Sequence, residues 1–261
     1  MSISNQFAIA MQALEELAPK LDAAQAKPIK MLPSLQEVLN GLGSLPRQAL
    51  FLGIATDGLP VLLSLRDPSP GSLLLTGDTG CGKTALLKVV ACAIGRMHDV
   101  REVRFGVITN HPDEWKGYGR IPHCVGIFPM GNNNAADFVS SLTKWAHSNR
   151  GKQQSILLLL DDLEAITHIN PEIQPNLRWL LLRGPVRRVW PIITLNTEMS
   201  ANVSPWLEAF RTRIFGHVDQ TKAAEALLPL PDAGLDSLAP GMQFCLREGT
   251  TWLRFWIPKS E

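Results

Sequence analysis

Residues 77–84 of the chain read GDTGCGKT, a glycine-rich stretch that ends in a lysine and a hydroxyl side chain. Glycines let a backbone wrap around an anion with its N–H groups pointing inward. Lys83 can follow the β- and γ-phosphates of a nucleotide, and the Thr84 hydroxyl is a ligand type that Mg²⁺ accepts. The spacing satisfies the GxxxxGK(S/T) pattern of phosphate-binding loops. We therefore predict a site for ATP with Mg²⁺ that comprises Gly77, Asp78, Thr79, Gly80, Cys81, Gly82, Lys83, Thr84 and Ala85.

The elements on either side of this stretch are those that a phosphate-binding loop needs. The apolar run at residues 73–75 predicts a buried strand that leads into it, and an amphipathic pattern predicts a helix over residues 83–96. A helix that starts at the loop directs the positive end of its dipole towards a bound anion. We therefore favour a phosphate-binding loop, with Lys83 as a catalytic group, over an ordinary glycine-rich turn.

Cys81 allows two interpretations. A thiol near a helix N-terminus and a lysine can have a lowered pKa and become reactive. A chemically neutral loop position is the interpretation that we favour.

A second chemical feature stands at the end of a continuous apolar run. Residues 155–160 read SILLLL, as expected of a central parallel strand buried on both faces, and Asp161 and Asp162 follow. In such a Walker B pattern, one carboxylate holds Mg²⁺ through water and the next orients and deprotonates the attacking water. We assign Asp161 to the metal and Asp162 to the water. The alternative is an aspartate that caps a helix leading towards Glu164.

Polar residues also end a further apolar run. Residues 190–197, WPIITLNT, predict a buried strand whose carboxyl end carries Asn196 and Thr197. Ligands of open α/β sheets bind at that end of the strands. Both residues are therefore candidate catalytic residues that contact the γ-phosphate or the lytic water. A helix or turn cap is an equal alternative.

The composition excludes several other classes of protein. The chain has 261 residues, 45% hydrophobic and 19% charged, and a formal net charge of +1, so any nucleic-acid contact must come from a local patch. Its four cysteines show neither a CxxC pair nor metal-ligand spacing and are expected to be reduced thiols. No stretch approaches the roughly 20 apolar residues that span a bilayer, so we expect a cytoplasmic protein without a direct membrane span.

The pattern along the chain predicts two parts. An amphipathic helix at residues 6–24 belongs to a helical extension over residues 1–45, where it packs on its own domain or contacts a partner. Residues 46–261 alternate short apolar runs with amphipathic segments, which predicts an α/β fold with a mostly parallel central sheet flanked by helices. Strands are predicted at residues 49–54, 60–64, 72–76, 103–109, 124–128, 156–160, 189–195, 242–247 and 251–256. Helices are predicted at residues 34–40, 83–96, 135–148, 173–182, 206–210 and 221–228.

From about residue 53 onwards the sequence resembles the FtsK/HerA class of P-loop ATPases, and the FtsK/SpoIIIE branch in particular. Besides the loop and the acidic strand end, residues 118–123 (YGRIPH) are similar to the family's "iPH" signature. Residues 211–214 (RTRI) are similar to its "tRI" strand, and residues 238–242 (LAPGM) to its "GdM" turn. The resemblance implies a RecA-like (ASCE) P-loop NTPase fold, ATPase activity and a ring-forming motor core.

Two positions differ from the family's usual pattern. The residue after the first aspartate is usually a glutamate, which is one methylene longer than Asp162. The polar sensor position, usually a glutamine, falls at Thr197. Both differences predict slow hydrolysis with nucleotide binding retained.

The resemblance also implies assembly. ATPases of this class place an arginine of one protomer against the γ-phosphate bound by its neighbour, so we expect a homo-oligomer, such as a hexamer, or a subunit of a larger assembly. A DNA translocase is the favoured function, with DNA as the candidate partner. The alternatives are a nucleotide-controlled assembly module with slow turnover and a protein-secretion ATPase subunit. The candidate arginines are Arg183, Arg187, Arg188, Arg211 and Arg213, of which the last also fits a structural role.

Overall fold

The structure of the protein is a computed structural model that describes residues 32–149, 154–164, 173–219, 227, 233–248 and 251–260. Pro33–Glu261 form one compact unit. The helix predicted at residues 6–24 lies outside the described residues, as does the one predicted at 221–228 except for residue 227. The division predicted between residues 45 and 46 stays a prediction.

The described strands join one sheet of ten strands. Their order across the sheet is β2-β1-β10-β9-β8-β3-β7-β6-β4-β5. The predicted α/β fold, with a mostly parallel sheet flanked by helices, is confirmed. In chain order the strands are β1 (Ala49–Ala55), β2 (Pro60–Ser64), β3 (Ser72–Gly77), β4 (Val103–Thr109), β5 (Cys124–Pro129), β6 (Ser155–Asp161), β7 (Val189–Asn196), β8 (Phe210–Phe215), β9 (Gln243–Glu248) and β10 (Thr251–Trp256).

Helices cover this sheet. In the described chain, none of them is both long and apolar enough to cross a membrane. They are α1 (Leu35–Gly41), α2 (Lys83–Met97), α3 (Asn133–Ser148), α4 (Gln174–Arg183) and α5 (Ser204–Leu207), besides short 3₁₀ turns.

The direction of the strands decides where the functional residues meet. Strands β8, β3, β7, β6, β4 and β5 run parallel to one another, whereas β9, β10, β1 and β2 pair antiparallel with each of their neighbours. The carboxyl ends of parallel strands lie at the same edge of a sheet, where ligands bind in open α/β folds. The segments that follow β3, β6 and β7 therefore start at one edge, and β7 lies between the other two strands.

The sheet has a hydrophobic core on each face. Along β3, Leu73 and Leu75 belong to one cluster of buried side chains and Leu74 to the other, because successive side chains of a strand point to opposite faces. Val90 of α2 packs in the first cluster, and Val139 of α3 packs in the second. Burial of each leucine contributes about 1.5–3 kcal/mol. The loop after β3 is thus supported from both faces.

Helix α1 is fixed at the start of the compact unit. Ser34 and Glu37 form a capping box: the Glu37 N–H donates to Ser34 Oγ at 3.2 Å, and the Ser34 N–H donates to Glu37 Oε2 at 2.8 Å. Leu35 is fully buried, and its N–H donates to the carbonyl of Lys259 at 3.0 Å. The first described helix is therefore joined to the segment that follows β10.

One predicted helix is partly wrong. The prediction placed residues 206–210 in a helix, but α5 ends at Leu207 and Phe210 is the first residue of β8. Phe210 is buried and pairs with Ser72 of β3. Five residues are too few for apolar spacing to separate a helical turn from the start of a strand. For β8, only the family resemblance of residues 211–214 indicated a strand.

Candidate functional site

The loop between β3 and α2 surrounds the ammonium group of Lys83. Its Nζ donates to the carbonyls of Gly77 at 3.0 Å and Asp78 at 2.9 Å and lies 3.7 Å from Cys81 Sγ. Only 7% of Lys83 is exposed. Within the described ranges, no carboxylate lies within salt-bridge distance of Nζ. A buried cation without an anionic partner is costly, and a phosphate group would supply that partner.

The backbone of the loop leaves the start of α2 open. Gly80 and Gly82 have φ values of 81° and 98°, in the left-handed region that glycine tolerates. Gly82 is the N-cap of α2, and no described side chain caps this helix end. Its first N–H groups can therefore bind an anion. Thr79 is exposed at the tip of the loop and Ala85 is half-buried in the first helical turn. The residues present fit the phosphate groups of a nucleotide.

The segment after β8 holds the loop from one side. The Asp219 N–H donates to Asp78 Oδ2 at 2.7 Å, and the Asp78 N–H donates to the carbonyl of His217 at 3.0 Å. His217 Nε2 in turn lies 2.8 Å from Asp219 Oδ1, and this hydrogen bond raises the pKa of the His217 imidazole. The contacts of Asp78 could not be predicted from the sequence, because its partners lie far away in the chain and match no motif.

A turn near the C-terminus holds the loop from another side. The Gly241 N–H donates to the carbonyl of Cys81 at 3.0 Å. A Cβ atom on Gly82 would lie 2.8 Å from Gly241 Cα, closer than two carbon atoms can approach. This turn is the one that resembles the family's "GdM" motif. Its proximity to the loop explains the glycine at position 82, whereas a Cβ atom on Gly241 would meet nothing within 4 Å and its φ of 77° favours glycine there.

Cys81 is a packing residue of the loop. A Cβ atom on Gly77 would lie 2.6 Å from Cys81 Sγ, and one on Gly216 would lie 2.7 Å from it. Burial raises the pKa of the Cys81 thiol, although the charge of Lys83 opposes this shift. This environment favours the interpretation of Cys81 as a chemically neutral loop position. All four cysteines are free thiols, as expected.

Thr84, in the first turn of α2, and Asp161, the last residue of β6, are in contact. The Thr84 hydroxyl lies 3.1 and 3.0 Å from the two carboxylate oxygens of Asp161. From β7, the Thr194 hydroxyl donates to Asp161 Oδ1 at 2.9 Å and accepts the Asp162 N–H at 2.7 Å. Asp161 is 4% exposed. A hydroxyl and a carboxylate are the hard oxygen ligands that Mg²⁺ prefers, so these residues fit the predicted metal role.

Asp162 is the next residue and has an unusual backbone. Its φ of 85° is in the left-handed region, which non-glycine residues seldom adopt. Burial raises the pKa of the Asp162 carboxyl, and the charges of Asp161 and Glu164 raise it further, whereas those of His111 and Lys83 oppose the shift. A raised pKa makes a carboxylate a better proton acceptor near neutral pH. The environment of Asp162 therefore fits the activation of water.

The two polar residues at the end of β7 have different surroundings. Asn196 is half-buried and pairs in register with Gly77, the first residue of the loop. Its Nδ2 donates to Glu164 Oε1 at 2.6 Å. Thr197 is 1% exposed, and its buried hydroxyl has no hydrogen-bond partner among the described residues. The structure thus adds Glu164 to the site. The sequence alone indicates this residue only as part of a helix that an aspartate would cap.

The candidate trans arginines do not reach their own loop. Arg188 Nη1 donates to Gln48 Oε1 at 2.7 Å, and Arg213 Nη1 donates to the carbonyl of Leu227 at 2.7 Å. Burial also lowers the pKa of both guanidinium groups, as expected of structural arginines. The other three stand near the amino ends of β7 and β8, at the edge of the sheet opposite the loop, and are Arg183, Arg187 and Arg211.

The chain is similar to several solved structures. EccC of Thermomonospora curvata (ATPases 2 and 3, in complex with a signal sequence peptide) is 16% identical, with a TM-score of 0.67 over 88% of this chain and 43% of that one. EssC of Geobacillus thermodenitrificans (ATPases 2 and 3) is 12% identical, with a TM-score of 0.69 over 90% and 48%. The pCW3 conjugation coupling protein TcpA, solved with ATPγS, is 14% identical, with a TM-score of 0.67 over 91% and 72%.

These similarities concern the fold, since all three identities are far below 25%. The chain spans less than half of the EccC and EssC chains that it matches. No protein-family model and no curated protein matched the sequence. The chain has the fold of the P-loop ATPases of the FtsK/SpoIIIE family, as its motifs predicted.

Proposed function

We propose that this chain binds ATP with Mg²⁺ at the loop of residues 77–84 and hydrolyses it as the motor core of an oligomeric machine. The observation that carries the proposal is the contact between Thr84 and Asp161. It joins the phosphate-binding loop to the acidic strand end, directly beside the helix turn that carries the buried Lys83. A loop that served only as a turn would not need a hydroxyl and a carboxylate together at this place.

The binding residues have separate roles. Lys83, freed from the loop carbonyls or shared with them, contacts the β- and γ-phosphates and stabilises the charge that develops during transfer. Thr84 and Asp161 hold the magnesium ion, the first through its hydroxyl and the second through water. When bound, this ion neutralises the phosphate oxygens. The loop N–H groups orient the phosphates, apart from those of Asp78 and Cys81, which donate to backbone carbonyls.

The hydrolytic residues lie on the next two strand ends. Asp162 orients the lytic water and accepts its proton. Asn196 and the otherwise unpartnered hydroxyl of Thr197 offer hydrogen bonds to the γ-phosphate or to that water. Asp162 is shorter than the glutamate that is usual in the family, and its backbone is constrained, so turnover is slow unless the site adjusts on assembly.

Assembly supplies what a single chain lacks. None of the arginines that the family resemblance nominated lies at the chain's own loop, and two of them are engaged in structural contacts. Charge stabilisation at the γ-phosphate by an arginine then has to come from a neighbouring protomer. This supports a homo-oligomeric ring, such as a hexamer, or a place within a larger assembly.

The proposed cargo is DNA. One structural neighbour is a conjugation coupling protein, TcpA, with which this chain shares its fold over 72% of that protein's solved chain. A second candidate function, protein secretion, is favoured by another neighbour, since EccC was solved with a signal sequence peptide. The third candidate is a slow, nucleotide-controlled assembly module, which the short Asp162 favours.

One experiment separates these functions. Phosphate release by the purified chain is measured with Mg²⁺ and ATP alone, with linear double-stranded DNA, and with unfolded casein, and native mass spectrometry gives the mass of the complex. We expect stimulation by DNA and a mass above the monomer. Stimulation by casein alone supports the secretion candidate, and slow hydrolysis unaffected by either polymer supports the assembly module. No hydrolysis in any arm contradicts the proposed function.

A further inference from the structure

Glu164 and Asn196 join the ends of two neighbouring strands. Asn196 is the last residue of β7, and Glu164 lies in the short turn that follows Asp161, the last residue of β6. Asn196 Nδ2 donates to Glu164 Oε1 at 2.6 Å, and both residues are half-buried. Because Asn196 pairs in register with Gly77, the contact lies beside the start of the phosphate-binding loop.

This hydrogen bond limits how the Asn196 amide can be presented. An asparagine side chain has two N–H donors and one carbonyl acceptor, and its last torsion angle is broad and roughly two-fold. With one N–H donated to Glu164, the nitrogen is fixed on the side of β6. The second N–H and the carbonyl oxygen are then the groups that remain for a phosphate or a water molecule. Without Glu164, the amide could rotate and exchange its donor for its acceptor.

We propose that Glu164 is a positioning residue for hydrolysis, which fixes the Asn196 amide in the orientation that meets the γ-phosphate or the lytic water. This inference rests on the proposed ATPase function. It assigns a role to a residue outside the two motifs, three positions beyond Asp161. Glu164 itself does not take the proton of the water, because that role belongs to Asp162.

Two substitutions of Glu164 test its contact with Asn196. Glu164→Gln keeps a carbonyl oxygen that accepts from Asn196, so kcat at neutral pH stays close to that of the parent. Glu164→Ala removes the acceptor, so kcat falls by roughly ten- to a hundredfold with unchanged ATP affinity. Asn196→Ala causes a similar loss, and adding Glu164→Ala to it costs nothing further, because both act through one contact.

Other results overturn the inference. If Glu164→Gln is as inactive as Asp162→Asn, then Glu164 itself accepts the proton and is not a positioning residue. If the losses of Glu164→Ala and Asn196→Ala add in the double variant, the two residues act independently.

A readout without nucleotide tests the contact itself. The side-chain amide resonances of Asn196 are assigned in the ¹⁵N-labelled chain as those that disappear in Asn196→Ala. We expect them to shift in Glu164→Ala and to stay near their parental positions in Glu164→Gln. Unchanged resonances in Glu164→Ala overturn the inference. If the parent chain itself does not hydrolyse ATP, the proposed ATPase function is wrong, and measurement of the parent alone reveals this.

Discussion

The hydroxyl of Thr84 lies 3.1 and 3.0 Å from the two carboxylate oxygens of Asp161. These residues are 77 positions apart in the chain. In the sheet, β7 lies between β6, which ends at Asp161, and β3, which leads into the loop before Thr84. The Thr194 hydroxyl, on that intervening strand, also donates to Asp161. The carboxylate is therefore oriented towards the loop by two hydroxyl groups, which places the ligands for a metal ion before any nucleotide arrives.

Removing the Thr84 hydroxyl should uncouple magnesium from nucleotide binding. We expect Mg²⁺ to raise the ATP affinity of the parent. In Thr84→Val, the factor by which Mg²⁺ raises this affinity should be smaller by about tenfold or more, because a metal ligand is lost. Thr84→Ser keeps the hydroxyl and is the matched control. Titration of a fluorescent ATP analogue with and without Mg²⁺ measures the effect, and Asp161→Asn should also weaken the magnesium-dependent part. Equal magnesium dependence in Thr84→Val and Thr84→Ser would contradict the metal assignment.

Asp162 should control turnover and leave binding intact. Asp162→Asn keeps the shape of the side chain but cannot accept a proton, so we expect a loss of about 10²–10⁴-fold in kcat with retained ATP affinity. Asp162→Glu restores the reach that is usual in the family and should hydrolyse ATP at an equal or faster rate. Single-turnover phosphate release measures both variants. Hydrolysis by Asp162→Asn at the parental rate would leave Asp162 as no more than a helix cap.

The parts of this site that share a local pattern were predictable from the sequence. Residues 77–84 lie between a predicted strand and a predicted helix, so their spacing was enough to predict the loop. The apolar run before Asp161 was enough to predict that Asp161 stands at the end of a strand. Both predictions needed only neighbouring residues. The same holds for every strand except β8 and for the longer helices α1 to α4, whose observed bounds lie within two residues of the predicted ones.

The contacts between distant segments were not predictable in this way. The hydrogen bonds of Asp78 with Asp219 and of Asn196 with Glu164 depend on which strands become neighbours, and no spacing along the chain encodes that order. One interpretation of the sequence expected the pKa of the Cys81 thiol to be lowered. Its pKa is raised instead, because burial outweighs the nearby Lys83 charge. A short apolar segment such as residues 206–210 also carries too little periodicity to assign.

The packing of Gly82 against Gly241 predicts a difference between two glycines of the loop. Gly80 and Gly82 both have left-handed backbones, but a Cβ atom on Gly80 meets nothing within 4 Å, whereas one on Gly82 meets the Gly241 backbone. Each alanine substitution pays the backbone strain, about 1–2 kcal/mol. We expect Gly82→Ala to lose roughly 1–3 kcal/mol more in unfolding free energy, from overpacking. Urea unfolding measures it, and equal losses would contradict the described packing.

Binding of ATP should promote assembly. With a non-hydrolysable ATP analogue and Mg²⁺, native mass spectrometry should detect oligomers that Lys83→Ala does not form. A strict monomer at micromolar concentration would count against the ring.

The trans arginine should be found by mixing variants. Among Arg183→Ala, Arg187→Ala and Arg211→Ala, one should lower kcat by about 10³-fold or more. Mixing it with Asp162→Asn should restore part of the activity, because the two defects then lie in different protomers. No rescue in any mixture would mean that none of these residues acts across an interface.

The most direct test of the account is the effect of Lys83→Ala on magnesium-dependent ATP binding and hydrolysis. Lys88→Ala is the matched control, since Lys88 lies on the same helix but pairs with Glu114 at 3.2 Å instead of facing the loop. We expect Lys83→Ala to lose at least about a hundredfold in kcat/KM, because no other described cation is held inside the loop. Lys88→Ala should stay close to the parent. If Lys83→Ala binds and hydrolyses ATP as the parent does, the phosphate-binding loop is wrongly assigned.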